Sequence, residues 1–170
     1  MATKTLYIMC GPAGGGKSTW VREHAINDGC VVVSRDAVRF SMVKENEPYF
    51  SQETNVYKKF CENIHNKLAD PGITSVYADA THLTELSRAK LLKDINYNLE
   101  EVEVWVVVIK PPLAVALARN ALRTGRACVP ESAIRNMYKS FQNPVNDEYE
   151  YAGYIYGKEN EDIWEGVNKS

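Results

Sequence analysis

Leu6-Tyr7-Ile8-Met9-Cys10-Gly11-Pro12-Ala13-Gly14-Gly15-Gly16-Lys17-Ser18-Thr19-Trp20-Val21 is the stretch whose reading decides the fold. Gly11–Ser18 matches the phosphate-loop pattern G-x-x-x-x-G-K-[ST] at every fixed position. The apolar run before it reads as a buried strand, and Lys17 onward reads as the start of a helix. Glycines let the backbone wind so that successive N–H groups converge on phosphate oxygens beside the positive end of a helix. Lys17 is expected at the β- and γ-phosphates and the Ser18 hydroxyl on Mg²⁺. Gly11, Ala13, Gly14, Gly15, Gly16 and Thr19 complete the expected nucleotide cradle. The pattern implies a protein that binds a nucleoside triphosphate.

Composition narrows the class further. With 45% hydrophobic and 25% charged residues among 170, the chain reads as one well-buried globular domain over 1–170, not a disordered one. No run of about 18 apolar residues exists, so no membrane partner is expected. The amino terminus leads straight into the first strand, leaving no room for a signal peptide. Cys10, Cys30, Cys61 and Cys128 are scattered without a C-x-x-C pair, which favours reduced thiols and a cytoplasmic setting. A net charge of −2 excludes a strongly basic nucleic-acid coat but leaves room for a local basic groove.

Outward from the phosphate loop, apolar runs at Lys4–Cys10, Cys30–Val33, Ile73–Ala78 and Val102–Ile109 read as strands, with Tyr154–Tyr156 a weaker fifth. Val56, Phe60, Ile64 and Leu68 recur every four residues along a helix that Asp70-Pro71-Gly72 ends. Further helices are predicted over Thr84–Tyr97, Leu113–Arg123 and Pro130–Phe141. Strands alternating with helices predict an α/β fold: a P-loop NTPase-type parallel sheet of four to five strands flanked by helices, with an arginine-bearing lid. Residues 146–170, rich in Tyr, Asn and Glu, give no firm pattern and are a candidate interface of a homo-oligomer.

The charged residues separate a kinase from other phosphate-loop proteins. A kinase needs a carboxylate to take the acceptor's proton and cations around the transferring group. Asp36 lies just past the second strand, at the edge where open α/β sheets bind ligands. If a helix begins there, Asp36 and Arg39 share a face and could form a base and an anion clamp; a helix cap and a solvated arginine are the plain alternative. Asp79 ends the third strand, placed to hold Mg²⁺ through water or to fix an arginine, or simply to make a turn. Arg119, Arg123 and Arg126 stand at i, i+4 and i+7, on one face if the helix persists to Thr124-Gly125. Three guanidiniums on one face repel unless an anion or nearby glutamates satisfy them, and Gly125 would let the segment hinge.

Gly11–Glu23 (GPAGGGKSTWVRE), Ser34–Ser41 (SRDAVRFS), Tyr77–Arg88 (YADATHLTELSR) and Arg119–Ser140 (RNALRTGRACVPESAIRNMYKS) follow one another in an order that resembles the kinase domain of phage-type 5′-hydroxyl polynucleotide kinases. The resemblance implies that Lys17 and Ser18 serve the donor phosphate and Mg²⁺. It implies Asp36 as general base and Arg39 as holder of the acceptor's 3′-phosphate; Arg35, next to Asp36 in sequence, is a further expected contact to acceptor phosphates. Asp79 would be an essential carboxylate of the acceptor cleft, and Arg119 and Arg123 lid arginines on the donor. Arg126 has only its spacing behind it. Two departures stand out. The phage enzymes carry a second, phosphatase domain with a D-x-D-x-T motif, so 3′-phosphatase activity is not expected here. Where the family tends to have Asp-Thr-Asn, this chain reads Asp79-Ala80-Thr81.

The leading expectation is an ATP- and Mg²⁺-dependent kinase of 5′-hydroxyl DNA or RNA ends, a natural functional partner for a nucleic-acid ligase. A kinase of a small molecule, nucleoside or modified base is the alternative, and a nucleotide-binding regulatory protein without transfer chemistry belongs to another class. Tyr49, Phe50 or Tyr57 could stack on acceptor bases, or serve as ordinary packing.

Overall fold

The computed structural model describes residues 3–144 and 153–158. Five parallel strands form one sheet in the order β2-β3-β1-β4-β5: β1 (Lys4–Cys10), β2 (Cys30–Ser34), β3 (Ser75–Asp79), β4 (Val102–Val108) and β5 (Gly153–Tyr156). The helices are α1 (Lys17–His24), α2 (Arg35–Met42), α3 (Glu53–Ala69), α4 (Glu85–Asp94), α5 (Leu113–Ala121) and α6 (Glu131–Ser140). The predicted parallel α/β architecture is present, and the weak Tyr154–Tyr156 signal is a real strand paired with β4. Most of the tail proposed as an interface lies outside the described residues. Among those described, no helix is long and apolar enough to cross a membrane.

Strand alternation divides the core. Leu6 and Ile8 of β1 join Val76 and Ala78 of β3 against Phe60, Ile64 and Leu68 of α3 and Leu91 of α4. The alternate positions Met9 and Tyr77 face the other way, against Val21 of α1. Because both faces of the central strands are covered, their sequences read as unbroken apolar runs. Each buried apolar side chain contributes roughly 1.5–3 kcal/mol relative to exposure.

Two register facts position the site. Ser34 pairs with Asp79, so the carboxyl ends of β2 and β3 finish level with each other. Gly11 N–H donates to the Thr81 carbonyl at 2.9 Å, which ties the phosphate loop to the turn after β3. Under that turn Arg88 is fully buried, donating to the His82 carbonyl at 2.9 Å and the Gln142 carbonyl at 2.8 Å. His82, also buried, adopts φ 40° and donates from Nδ1 to the Met9 carbonyl at 2.7 Å. Burial pushes the imidazole down to about 4, so it is neutral at ordinary pH.

Candidate active site

One cleft of about 510 Å³ collects residues that lie far apart in the chain. Its floor is the phosphate loop, one wall is Ser34–Arg39 with Tyr49, Phe50 and Glu53, and its roof is Arg123–Pro130.

The floor is made by backbone. Gly14 and Gly16 take φ 74° and 97°, values that L side chains rarely adopt, and a Cβ on Gly14 would lie 2.6 Å from the Ala116 carbonyl oxygen. Gly16 is the N-cap of α1, so the first N–H groups of that helix open toward the loop. Ala13 N–H meets Met137 Sδ at 3.4 Å, and the Gly15 carbonyl accepts from Arg119 Nη1 at 3.2 Å. Thr19 stands exposed in the first turn, its hydroxyl accepting from Arg22 at 3.3 Å. Lys17 Nζ donates to the Pro12 carbonyl at 2.8 Å. Desolvation lowers its pKa below the ordinary lysine value, against the pull of Asp79, Cys10 and Asp36.

Ser18 Oγ donates to Asp79 Oδ2 at 2.9 Å, joining the phosphate loop to the end of β3. Among the described residues no group of three or more His, Cys, Asp or Glu side chains could hold a metal unaided. A hydroxyl and one carboxylate fit Mg²⁺, which takes few protein oxygens and completes its shell with water and phosphate.

The opposite wall is a side-chain network. Ser34, not Asp36, caps α2, accepting from Ala37 N–H at 3.2 Å, so Asp36 sits in the first turn with Arg39 one turn on. Asp36 Oδ1 takes Arg39 Nη1 and, at 2.6 Å, the Tyr49 hydroxyl. The Asp36 side chain remains 58% exposed to the cleft. Arg39 is buried, contrary to a solvated surface arginine, and its Nη2 reaches both Glu53 oxygens at 3.0 and 2.9 Å. Its Cζ also lies 4.3 Å from the centre of the Tyr49 ring. Arg35 Nη2 bonds Glu53 as well, making Glu53 the counterion of both arginines. Phe50, 64% exposed, stands edge-on to Tyr49 with centroids 4.6 Å apart.

The roof departs from expectation. α5 ends at Ala121, short of Thr124-Gly125, so the three lid arginines do not share one helical face. Arg119 reaches the phosphate loop from the last turn of α5, and Arg123 is exposed, with Nη1 3.5 Å from the Ala127 carbonyl. Arg126 lies over the Phe40 ring and donates to the Val43 carbonyl. Sequence reasoning left Glu53 out of the site because it opens a different helix, with no local motif marking it as Arg39's partner. Tyr49, expected as a stacking surface or ordinary packing, instead donates its hydroxyl to Asp36.

Residues 6–144 match the family model described as an AAA domain. A fungal RNA kinase superposes with a TM-score of 0.67 at 13% identity, covering 95% of this chain and 78% of that one. A sugar kinase from Janibacter sp. HTCC2649 gives 0.60 at 18%, covering 91% and 85%. In the Pnkp1/Rnl/Hen1 RNA repair complex a chain matches with 0.64 at 22%, over 82% of this chain and 44% of that one. At such identities the likeness shows the P-loop kinase-like fold.

Proposed function

Since the chain belongs to the AAA domain family and has a P-loop kinase-like fold that implies nucleotide binding, we propose that it is an ATP-dependent kinase of polynucleotide 5′-hydroxyl ends. The observation that carries this reading is Asp36: a half-open carboxylate lining the same cleft as the phosphate loop and ion-paired to Arg39, which shares Glu53 with Arg35. In the reaction the acceptor hydroxyl oxygen forms a bond to the γ-phosphorus, its proton passes to Asp36, and the bond to the β,γ-bridging oxygen breaks to leave ADP. Lys17, Arg119 and Arg123 spread over the phosphates and compensate charge as it shifts toward ADP. Ser18 and Asp79 would hold Mg²⁺, which when bound would neutralise phosphate charge. Arg35 and Arg39 line the acceptor side, where a phosphate 3′ to the terminal sugar would compete with Glu53 for their donors. A repair setting is supported by the likeness to a chain of an RNA repair complex.

A small-molecule acceptor is the second reading. It is favoured by the likeness to a sugar kinase and by Glu45, Glu47 and Glu53 lining the acceptor end, groups suited to hydroxyls more than to phosphates. Transfer of label from γ-labelled ATP to a 5′-hydroxyl oligonucleotide, run beside the same strand already 5′-phosphorylated, tests the proposal. Label on the hydroxyl strand alone is the expected result. No label on either, with ATP still bound, would move the acceptor to the small-molecule class.

A further inference from the structure

From the end of α5 through the roof of the cleft, Ala121–Pro130, all ten residues are exposed except Arg126 and Val129. Val129 is held by Asn120, whose buried side chain donates to the Val129 carbonyl at 2.7 Å and accepts from its N–H at 3.0 Å. That bidentate grip closes the base of the loop. Arg126 is the second anchor, on the far side of the cleft. Its guanidinium lies 4.5 Å from the centre of the Phe40 ring and donates from Nη2 to the Val43 carbonyl. Val43 is the C-cap of α2, where carbonyls lack helical partners and a cation is favoured. Gln52 already serves the neighbouring Met42 carbonyl at 3.1 Å. Immediately before Arg126, Gly125 turns at φ 61°, with open space where a Cβ would stand.

We propose that Arg126 is a positioning residue, a latch that fastens the lid to the carboxyl end of α2, and not a ligand of the donor phosphates. The planar guanidinium suits the role because it can stack on a ring and donate in its plane at once, which an ammonium does not do as well. The latch closes the roof over the phosphate loop and so holds Arg123 in the cleft that Lys17 also lines. It also joins the lid to the helix whose first turn carries Asp36, so donor enclosure and acceptor geometry share one fastening.

The two roles separate in the release of a fluorescent N-methylanthraniloyl-ADP, followed by stopped flow with no acceptor present. This readout is independent of the polynucleotide reading, and either can fail alone. A latch requires that Arg126→Met speed release about tenfold, that Phe40→Leu reproduce several-fold of this, and that the double variant release no faster than Arg126→Met. Arg126→Lys, which keeps the charge but loses the stacked plane, should resemble Arg126→Met. The ratio of variant to wild-type rates should hold between low and high salt, because the latch joins protein to protein. Rescue by lysine, an inert Phe40→Leu, or a ratio that shrinks with salt would make Arg126 a phosphate ligand. Wild-type release by every variant would remove the latch altogether. Arg126 lies on an otherwise exposed loop, so its variants test the proposal even if Phe40→Leu does not fold.

Discussion

The floor of the cleft and the wall opposite it face the same space but are built by different means. The floor is backbone: Gly14 and Gly16 at positive φ, the opened first turn of α1, and two side chains, Lys17 and Ser18, that follow directly in sequence. The wall is side chain: Asp36 and Arg39 from α2, Tyr49 from the loop beyond it and Glu53 from α3, each held by another. A backbone cradle binds whatever carries phosphates, because its N–H groups read oxygen and charge alone. A side-chain network can be rebuilt residue by residue, which is why the proposal places acceptor choice there. The difference can be broken from either side.

The largest effect is expected at Asp36. Asp36→Asn keeps the shape and removes the proposed base, and turnover should fall by about 10²–10⁴ while nucleotide affinity holds. Steady-state rates beside calorimetric nucleotide binding check this, and a variant keeping most of its rate would leave Asp36 a structural member of the network. Gly14→Ala attacks the other half. A Cβ there meets the Ala116 carbonyl in a backbone conformation alanine resists, at a combined cost of about 3 kcal/mol. Nucleotide affinity should drop about a hundredfold by calorimetry, and intact binding would mean the loop is not the cradle.

Glu53→Gln sharpens the comparison. It removes the shared counterion of Arg35 and Arg39 but not the shape, and should destabilise the fold by about 2 kcal/mol, less than a fully buried pair because Glu53 is 34% exposed. Urea unfolding measures this. Unchanged nucleotide affinity with a weakened acceptor kcat/KM would keep the two halves separate; equal loss on both would merge them.

The smallest effect concerns the turn that ties the halves together. His82 binds its proton only near pH 4 when folded, against 6.5 unfolded. The unfolded chain therefore holds more protons in that window, so stability is full above pH 6.5 and declines as pH falls toward 4, by about 1.4 kcal/mol at pH 5.5. His82→Asn, a residue that tolerates φ 40°, should flatten this part of the stability–pH curve. An unchanged slope would place the titration elsewhere.

The legibility of the molecule follows the same division. The parallel sheet, the phosphate loop and the placement of Asp36 and Asp79 at strand ends were readable because strand period and loop pattern are local in sequence. Even Tyr154–Tyr156, short and weak, was found as a strand. The shared face of the lid arginines depended on a helix reaching Thr124-Gly125, and i, i+4, i+7 spacing describes a helix only while the helix lasts; α5 stops at Ala121. Its C-cap, Leu122, is followed by a turn through Gly125 that sends Arg126 across to Phe40. Glu53 escaped notice because a counterion 14 residues from Arg39 follows no periodicity, and only the packing of α2 on α3 brings them together.

The central claim is that the wall around Asp36 receives the 5′ end of a polynucleotide. The most direct test compares kcat/KM for a short 5′-hydroxyl oligonucleotide with that for a panel of hexoses, aldonic acids and nucleosides under one concentration of ATP. The account expects the oligonucleotide to be preferred by orders of magnitude and Asp36→Asn to abolish its use. A sugar or nucleoside matching or exceeding the oligonucleotide would contradict it.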